Sequence, residues 1–108
     1  MTLNCLGRVN VAAPGTPVAL TTNRNATAAI VFIQTIPGLT SKIYIGRQGM
    51  NKATLSGVCR ILWPNANGGI SDQFMLTAES GGDQIHPSEY YIDCDVAGEG
   101  VLASYWTA

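Results

Sequence analysis

The chain has 108 residues, a formal net charge of −1, and charged residues at only 12% of positions. That length sets one domain over residues 1–108. It is large enough to bury roughly 65% of the surface its unfolded chain exposes, so a core forms without disulfide or metal staples. With so little charge, the surface must rely on Ser, Thr, Asn, Gln and Gly, or be covered by other subunits.

The charge is unevenly placed. All six basic residues (Arg8, Arg24, Lys42, Arg47, Lys52, Arg60) precede all seven acidic ones (Asp72, Glu79, Asp83, Glu89, Asp93, Asp95, Glu99). Two readings follow. Strands from the two halves can interleave and pair the charges, or the surface is dipolar and suits head-to-tail contact between copies. The bases are scattered and no two are adjacent, so nucleic acid has no basic footprint to bind. Cys5, Cys59 and Cys94 form an odd set without C-x-x-C spacing, which excludes zinc fingers and redox motifs. Free, buried thiols are the expected state. The first residues lack the charged and apolar regions of a signal peptide, and no apolar run reaches membrane-spanning length. The expectation is a protein made in a cytoplasm, with no membrane partner. The Asn25-Ala26-Thr27 sequon is then incidental.

In chain order, Leu6 to Val11 alternates as a strand, with Leu6, Arg8 and Asn10 opposed to Gly7, Val9 and Val11. Ala12-Ala13-Pro14-Gly15 is a turn. Thr16 to Leu20 is a short strand and Thr21 to Asn25 a polar loop. Thr27 to Ile36 is the densest apolar run. Its β-branched residues make it a strand, and its two apolar faces make it a central one. Pro37-Gly38 ends it in a type II turn, and Lys42 to Gly46 returns as its hairpin partner. From Met50 to Trp63 helical spacing competes with strand. Gly57 costs a helix about 1 kcal/mol, so a loop followed by a strand over Val58 to Trp63 is preferred, stopping before Pro64. Asn65 to Gly69 is a loop. Ser71 to Thr77 is a strand with Phe74 and Leu76 opposed to Gln73, Met75 and Thr77. Glu79 to Asp83 is an exposed turn.

The last stretch carries the clearest pattern. Tyr90, Ile92, Cys94 and Val96 alternate with Tyr91, Asp93 and Asp95, which reads as one face inward and one in water. Ala97-Gly98-Glu99-Gly100 offers a reversal. Val101, Ala103 and Tyr105 then oppose Leu102, Ser104 and Trp106, a strand apolar on both faces. Such a strand is central in a sheet or meets another chain. We read the stretch as a terminal hairpin whose Tyr105-Trp106 end nothing later can cover. About eight short strands with Gly/Pro/Asn turns predict an all-β fold, an antiparallel β-sandwich or a jelly-roll-like barrel.

Chemistry finds little support. His86 is the only histidine. No G-x-S-x-G elbow accompanies it, and Pro87 follows it directly. Asp93, Asp95 and Glu99 could gather at a calcium ion, but two carboxylates on one strand face are more commonly its solvated side. Gly46-Arg47-Gln48-Gly49 lacks the lysine of a phosphate loop. Tyr44, Trp63, Tyr90, Tyr91, Tyr105 and Trp106 could line a sugar platform, although in a small β-domain aromatics serve core or interface more often. The residues point to no enzyme, metal or cofactor.

Three segments then acquire meaning together: Val9-Asn10-Val11-Ala12-Ala13-Pro14-Gly15-Thr16-Pro17-Val18-Ala19-Leu20, Ser41-Lys42-Ile43-Tyr44-Ile45-Gly46, and Tyr90-Tyr91-Ile92-Asp93-Cys94-Asp95-Val96-Ala97-Gly98-Glu99-Gly100-Val101. Their order resembles small structural proteins from the head-gene modules of tailed bacteriophages, some of which are trimeric capsid decoration (cement) proteins. The region from Met50 to Ser88 is less similar to that pattern. The resemblance implies a non-enzymatic virion protein on the capsid exterior, synthesised in the bacterial host cytoplasm. It implies the major capsid protein as partner, a homotrimer, and no catalytic residues. Tyr90, Tyr91, Tyr105 and Trp106 are the expected interface. The alternatives are a tail or neck component, or a carbohydrate-binding β-module.

Overall fold

The computed structural model describes residues 2–64, 72–78 and 84–107. Its strands are β1 (Leu3–Asn10), β2 (Val18–Ala19), β3 (Ile30–Thr35), β4 (Ile43–Asn51), β5 (Ser56–Leu62), β6 (Gln73–Thr77), β7 (Tyr90–Cys94) and β8 (Gly100–Trp106). A single 3-10 turn over Pro87–Glu89 leads into β7. Two four-stranded antiparallel sheets result, ordered β1-β8-β3-β6 and β2-β7-β4-β5.

The first strand pairs with the last, the second with the seventh, the third with the sixth and the fourth with the fifth. A long hairpin of eight strands folded over on itself makes these pairs. The further pairings β3 with β8 and β4 with β7 roll it into two sheets. This is the topology of a jelly-roll sandwich. The core lies between the sheets. Val31, Ile33, Val101 and Ala103 face Ile43, Ile45, Leu62, Ile92 and Cys94, and none is more than 4% exposed. Branched side chains on a pleated surface fill such a layer well.

The alternation predicted for β6 and β8 holds, and the run over Thr27 to Ile36 supplies a central strand as expected, with β3 and β8 the two central strands of their sheet. Both Pro-Gly turns form, with Thr16 N–H donating to Ala13 C=O at 3.0 Å and Leu39 N–H to Ile36 C=O at 3.3 Å. Other expectations need correcting. Neither Lys42–Gly46 nor the closing stretch makes the predicted hairpin. The partners lie in opposite sheets, and the Pro-Gly and Gly-Glu-Gly segments are corners between sheets. A turn sequence reverses the chain either way; only sheet membership distinguishes hairpin from corner.

β4 pairs instead with β5 in a hairpin; the loop expected after Met50 is its turn over residues 52–55, and the strand expected over Val58 to Trp63 runs over Ser56–Leu62. β2 is shorter than expected, two residues long. In β1 a register shift between Cys5 and Gly7 inserts an extra residue. Leu6 and Val9 therefore both pack on the core, although strict alternation placed them on opposite faces. The predicted loop at 65–69 and turn at 79–83 lie outside the described residues.

The charge asymmetry also resolves. Arg47 pairs with Glu89 at 3.0 Å, Lys52 with Asp95 at 2.9 Å and Arg60 with Asp72 at 4.0 Å. Each pair joins the basic half of the chain to the acidic half, as interleaved strands require.

Gly100 opens β8 where it crosses β1. A Cβ there would run into the Val9 carbonyl and the backbone of Asn10, neither of which can yield without breaking the sheet. Gly100→Ala is expected to destabilise by about 2 kcal/mol through overpacking. That corresponds to a fall in Tm on the order of 10 °C for a domain of this size. Thermal melts of the two proteins check it, and an unchanged Tm would show that the corner is looser than described.

Candidate functional site

The three acidic residues proposed as a cation site each have a different task. Asp93 is buried, at 1% exposure, contrary to the expectation that its face is in water. Its Oδ1 accepts hydrogen bonds from Gly15 N–H at 3.0 Å and from Cys94 N–H at 2.8 Å. The first of these holds the β1–β2 corner against β7. Asp95 accepts from Lys52 Nζ at 2.9 Å and from Tyr44 Oη at 3.2 Å. Glu99 accepts from Thr40 N–H and Ser41 N–H, each at 2.8 Å, and from the Thr40 hydroxyl at 2.9 Å. That carboxylate ties the β7–β8 corner to the β3–β4 corner. The three do not converge, and among the described residues no group of three or more His, Cys, Asp or Glu could hold a metal ion.

Their surroundings shift their ionisation. The hydrogen bond from Lys52 holds the Asp95 carboxyl below the ordinary range. Burial opposes that shift, and Tyr44 adds to it. For Glu99 burial pushes upward, but the hydrogen bonds from Ser41 and Thr40 outweigh it and the net shift is downward. Lys52 is raised in turn, first by its hydrogen bond to Asp95.

The cysteines are all free, but only Cys94 is buried, and burial pushes its thiol up. Cys5 and Cys59 are exposed, against the expectation. Each lies on an outer strand of its sheet, β1 and β5, where one side of the residue meets no neighbouring strand. His86 is half-buried just before the 3-10 turn, in a polar cleft at the opposite end of the sandwich from Glu99.

The four aromatics expected at an interface do not share one surface. Tyr90 and Tyr105 pack against the core from the two sheets. Tyr91 pairs with Ala19 and lines the cleft beside His86. Trp106 alone points outward from the first sheet, half-buried between Leu3 on β1 and Ile30 on β3. The end of β8 is therefore flanked on both sides. Nor do the aromatics make a sugar platform. Tyr44 is buried, and the exposed Trp63 has Lys42 Nζ 5.3 Å from its ring centroid.

Around Trp106 lies the surface that sequence reading did not assemble. Three rows of side chains cross the outer face of the β1-β8-β3-β6 sheet. The first is Leu3, Trp106, Ile30 and Thr77. The second is Cys5, Ser104, Phe32 and Met75, and the third is Arg8, Leu102, Gln34 and Gln73. Leu3 is 44% exposed, Met75 56% and Leu102 38%. No acidic residue lies on these rows. The one cation, Arg8, bonds Asn10 Oδ1 at 2.6 Å and Gly98 C=O at 3.4 Å, at the corner of the face. A shallow hollow of about 210 Å³ lies over Phe32 and Leu102. The signal for this face was in the sequence, as the outward members of three strands. It could be read only once the order β1-β8-β3-β6 was known.

No protein-family model matches the chain, and neither curated proteins nor solved structures give a match.

Asp95 and Glu99 have lower pKa values folded than unfolded. The stability they lend is complete above the unfolded carboxylate range and is lost as pH falls through the folded values. Tm should stay nearly level from pH 7 to about pH 5 and fall below about pH 4. Glu99→Gln should melt lower at neutral pH and fall less steeply in acid. Thermal melts across this range check it; parallel curves for the two proteins would remove Glu99 from the account.

Proposed function

We propose that this protein is a non-enzymatic structural component of a bacteriophage virion, a capsid decoration protein that binds the outer shell as a homotrimer. The observation that carries the self-association is the apolar face centred on Trp106 and Phe32. Contiguous apolar surface is uncommon on soluble monomers and marks a contact. A face with no net charge pattern does not select a charged partner; around a threefold axis, one part of it would pack on a different part of the same face of the next copy, a heterologous contact that closes as a ring. Support for the virion setting comes from the three-segment resemblance. The jelly-roll topology agrees with it by analogy, since viral capsid domains use this architecture along with lectins and cupins. The interface expected at Tyr90, Tyr91, Tyr105 and Trp106 is accordingly recentred on Trp106.

A decoration protein binds the assembled lattice and not its dissociated parts, so it stabilises the shell by mass action. A trimer seated over a junction engages several capsid subunits at once, and effective concentration raises its apparent affinity above that of one contact. Decorated particles should therefore release DNA at a higher temperature than stripped ones. Equal release temperatures, or labelled protein found only on tails, would replace this reading with a tail or neck role.

The self-association has its own test. Sedimentation velocity at tens of micromolar, where even a micromolar interface is populated, should give a trimer. Trp106→Ala should weaken it by on the order of tenfold or more, as truncating a central aromatic anchor does. In the oligomer Cys5, on the apolar face, should resist alkylation while Cys59, on the other sheet, reacts. Equal labelling of both would move the contact elsewhere.

A further inference from the structure

At the end of the sandwich opposite Glu99, β2, β4 and the 3-10 turn enclose a cleft of about 670 Å³. That volume lies within the range of small-ligand sites. Part of its lining is Ala19 and the half-buried Tyr91 ring, cross-strand partners on β2 and β7. Thr22 and Arg24 contribute from the loop after β2, Arg47 and Gln48 from β4, and His86, Ser88 and Glu89 from the approach to β7.

Two features set this cleft apart from the other polar clusters. Asp72, Asp93, Asp95, Glu99 and Ser41 all have hydrogen-bond partners that fasten the fold. In the cleft, by contrast, the side chains of Thr22, Arg24, Gln48, His86 and Ser88 make no hydrogen bond among the described residues. Second, one cation is already positioned. Arg47 is held by Glu89 at 3.0 Å and by the Tyr90 ring, whose centroid lies 5.2 Å from its guanidinium carbon. Its guanidinium carries five N–H donors, so most remain available.

We propose that this cleft binds a carboxylated sugar, as a free acid or as a unit of an acidic glycan. Arg24 and the open donors of Arg47 would meet the carboxylate. The Glu89 carboxylate, the Gln48 amide and the Thr22 and Ser88 hydroxyls offer both acceptors and donors, as the hydroxyls of a sugar ring require. The Tyr91 ring beside Ala19 offers an apolar surface for the C–H face of that ring. A simple phosphate needs donors only and would leave the Glu89 carboxylate without a donor of its own, whereas a sugar hydroxyl can supply one. The inference stands apart from the capsid reading, because it concerns the other sheet and the isolated chain.

The test is an NMR or calorimetric titration of the whole protein with D-glucuronate, D-glucose and inorganic phosphate. Glucuronate should saturate with a Kd on the order of 1 mM, and glucose should bind at least about tenfold more weakly, having no charge-assisted hydrogen bonds to form. Arg24 is exposed in a loop, so Arg24→Gln should leave Tm unchanged while weakening glucuronate severalfold toward the glucose level, with Arg47 supplying the charge-assisted contact that remains. Trp106→Ala should leave the titration unaltered. Three results would overturn the proposal: no saturation by glucuronate at tens of millimolar, phosphate competing at equal strength, or an Arg24→Gln protein that binds glucuronate as before.

Discussion

The fold depends on how the chain is held where it crosses between sheets. Strands β1, β3, β5 and β7 all leave their sheets at one end of the sandwich, and each crossing exposes backbone donors that no ladder can satisfy. Carboxylates take up that role. Glu99 binds the amides of Thr40 and Ser41, Asp93 binds the amide of Gly15, and Asp72 binds the amide of Trp63. The Ser41 hydroxyl accepts from the amide of Asp95. Charge-assisted bonds to backbone donors are among the stronger ones a protein makes. They join corners far apart in sequence, such as residues 40 and 99, and so fix which strand lies beside which.

This explains how far the sequence could be read. Strand positions were legible because alternation is a local property: Phe74 and Leu76, or Val101, Ala103 and Tyr105, announce an inner face whatever lies beside them. Pairing was not legible, because Ala97-Gly98-Glu99-Gly100 serves a hairpin and a corner equally well. Asp93 shows the same limit. In an alternating strand a carboxylate reads as the wet side, and only the neighbouring corner reveals that Gly15 N–H covers it. Alternation put Tyr105 and Trp106 on opposite faces of β8, yet the expected interface took in both, together with Tyr90 and Tyr91. Their directions depend on which sheet each strand joins. The glycines of the Gly46 and Gly100 positions carry a similar lesson, since each answers to a backbone carbonyl distant in sequence, Gly57 for the first and Val9 for the second.

The scarcity of charge becomes intelligible in the same terms. Most of the described acidic residues are engaged in fastening corners, and several bases are engaged with those acids: Lys52 with Asp95, Arg60 with Asp72, Arg47 with Glu89. Arg60 also lies 5.3 Å from the Phe74 ring centroid, so it covers the open side between β5 and β6. Charge placed this way contributes to the shape of the chain more than to repulsion between molecules. A protein kept apart from its neighbours by charge would distribute it over every broad face. Here, among the described residues, the three rows crossing the outer face of the β1-β8-β3-β6 sheet carry one cation, Arg8, and it is engaged at the corner of the face by Asn10 and Gly98.

The two ends and the open face thus follow from one division of labour. At the corner end, polar groups face one another and are satisfied, which fixes the sheets and leaves few donors for a ligand. At the other end, among the described residues, no carboxylate accepts from a loop amide, and polar side chains after β2 and before β7 surround a cleft. Between the ends, the outer side of the first sheet has apolar rows because β3, β6 and β8 alternate and β1 resumes alternation on either side of its bulge. Each inward Val, Ile or Phe on the core side obliges its neighbour to point out, and six of the twelve outward positions in the three rows are Leu, Ile, Phe, Met or Trp: Leu3, Trp106, Ile30, Phe32, Met75 and Leu102. Were that face meant for water alone, the polar choices seen at Ser104 and Gln34 would extend across it. The same alternation that builds the core therefore also determines which surface is available to a second molecule.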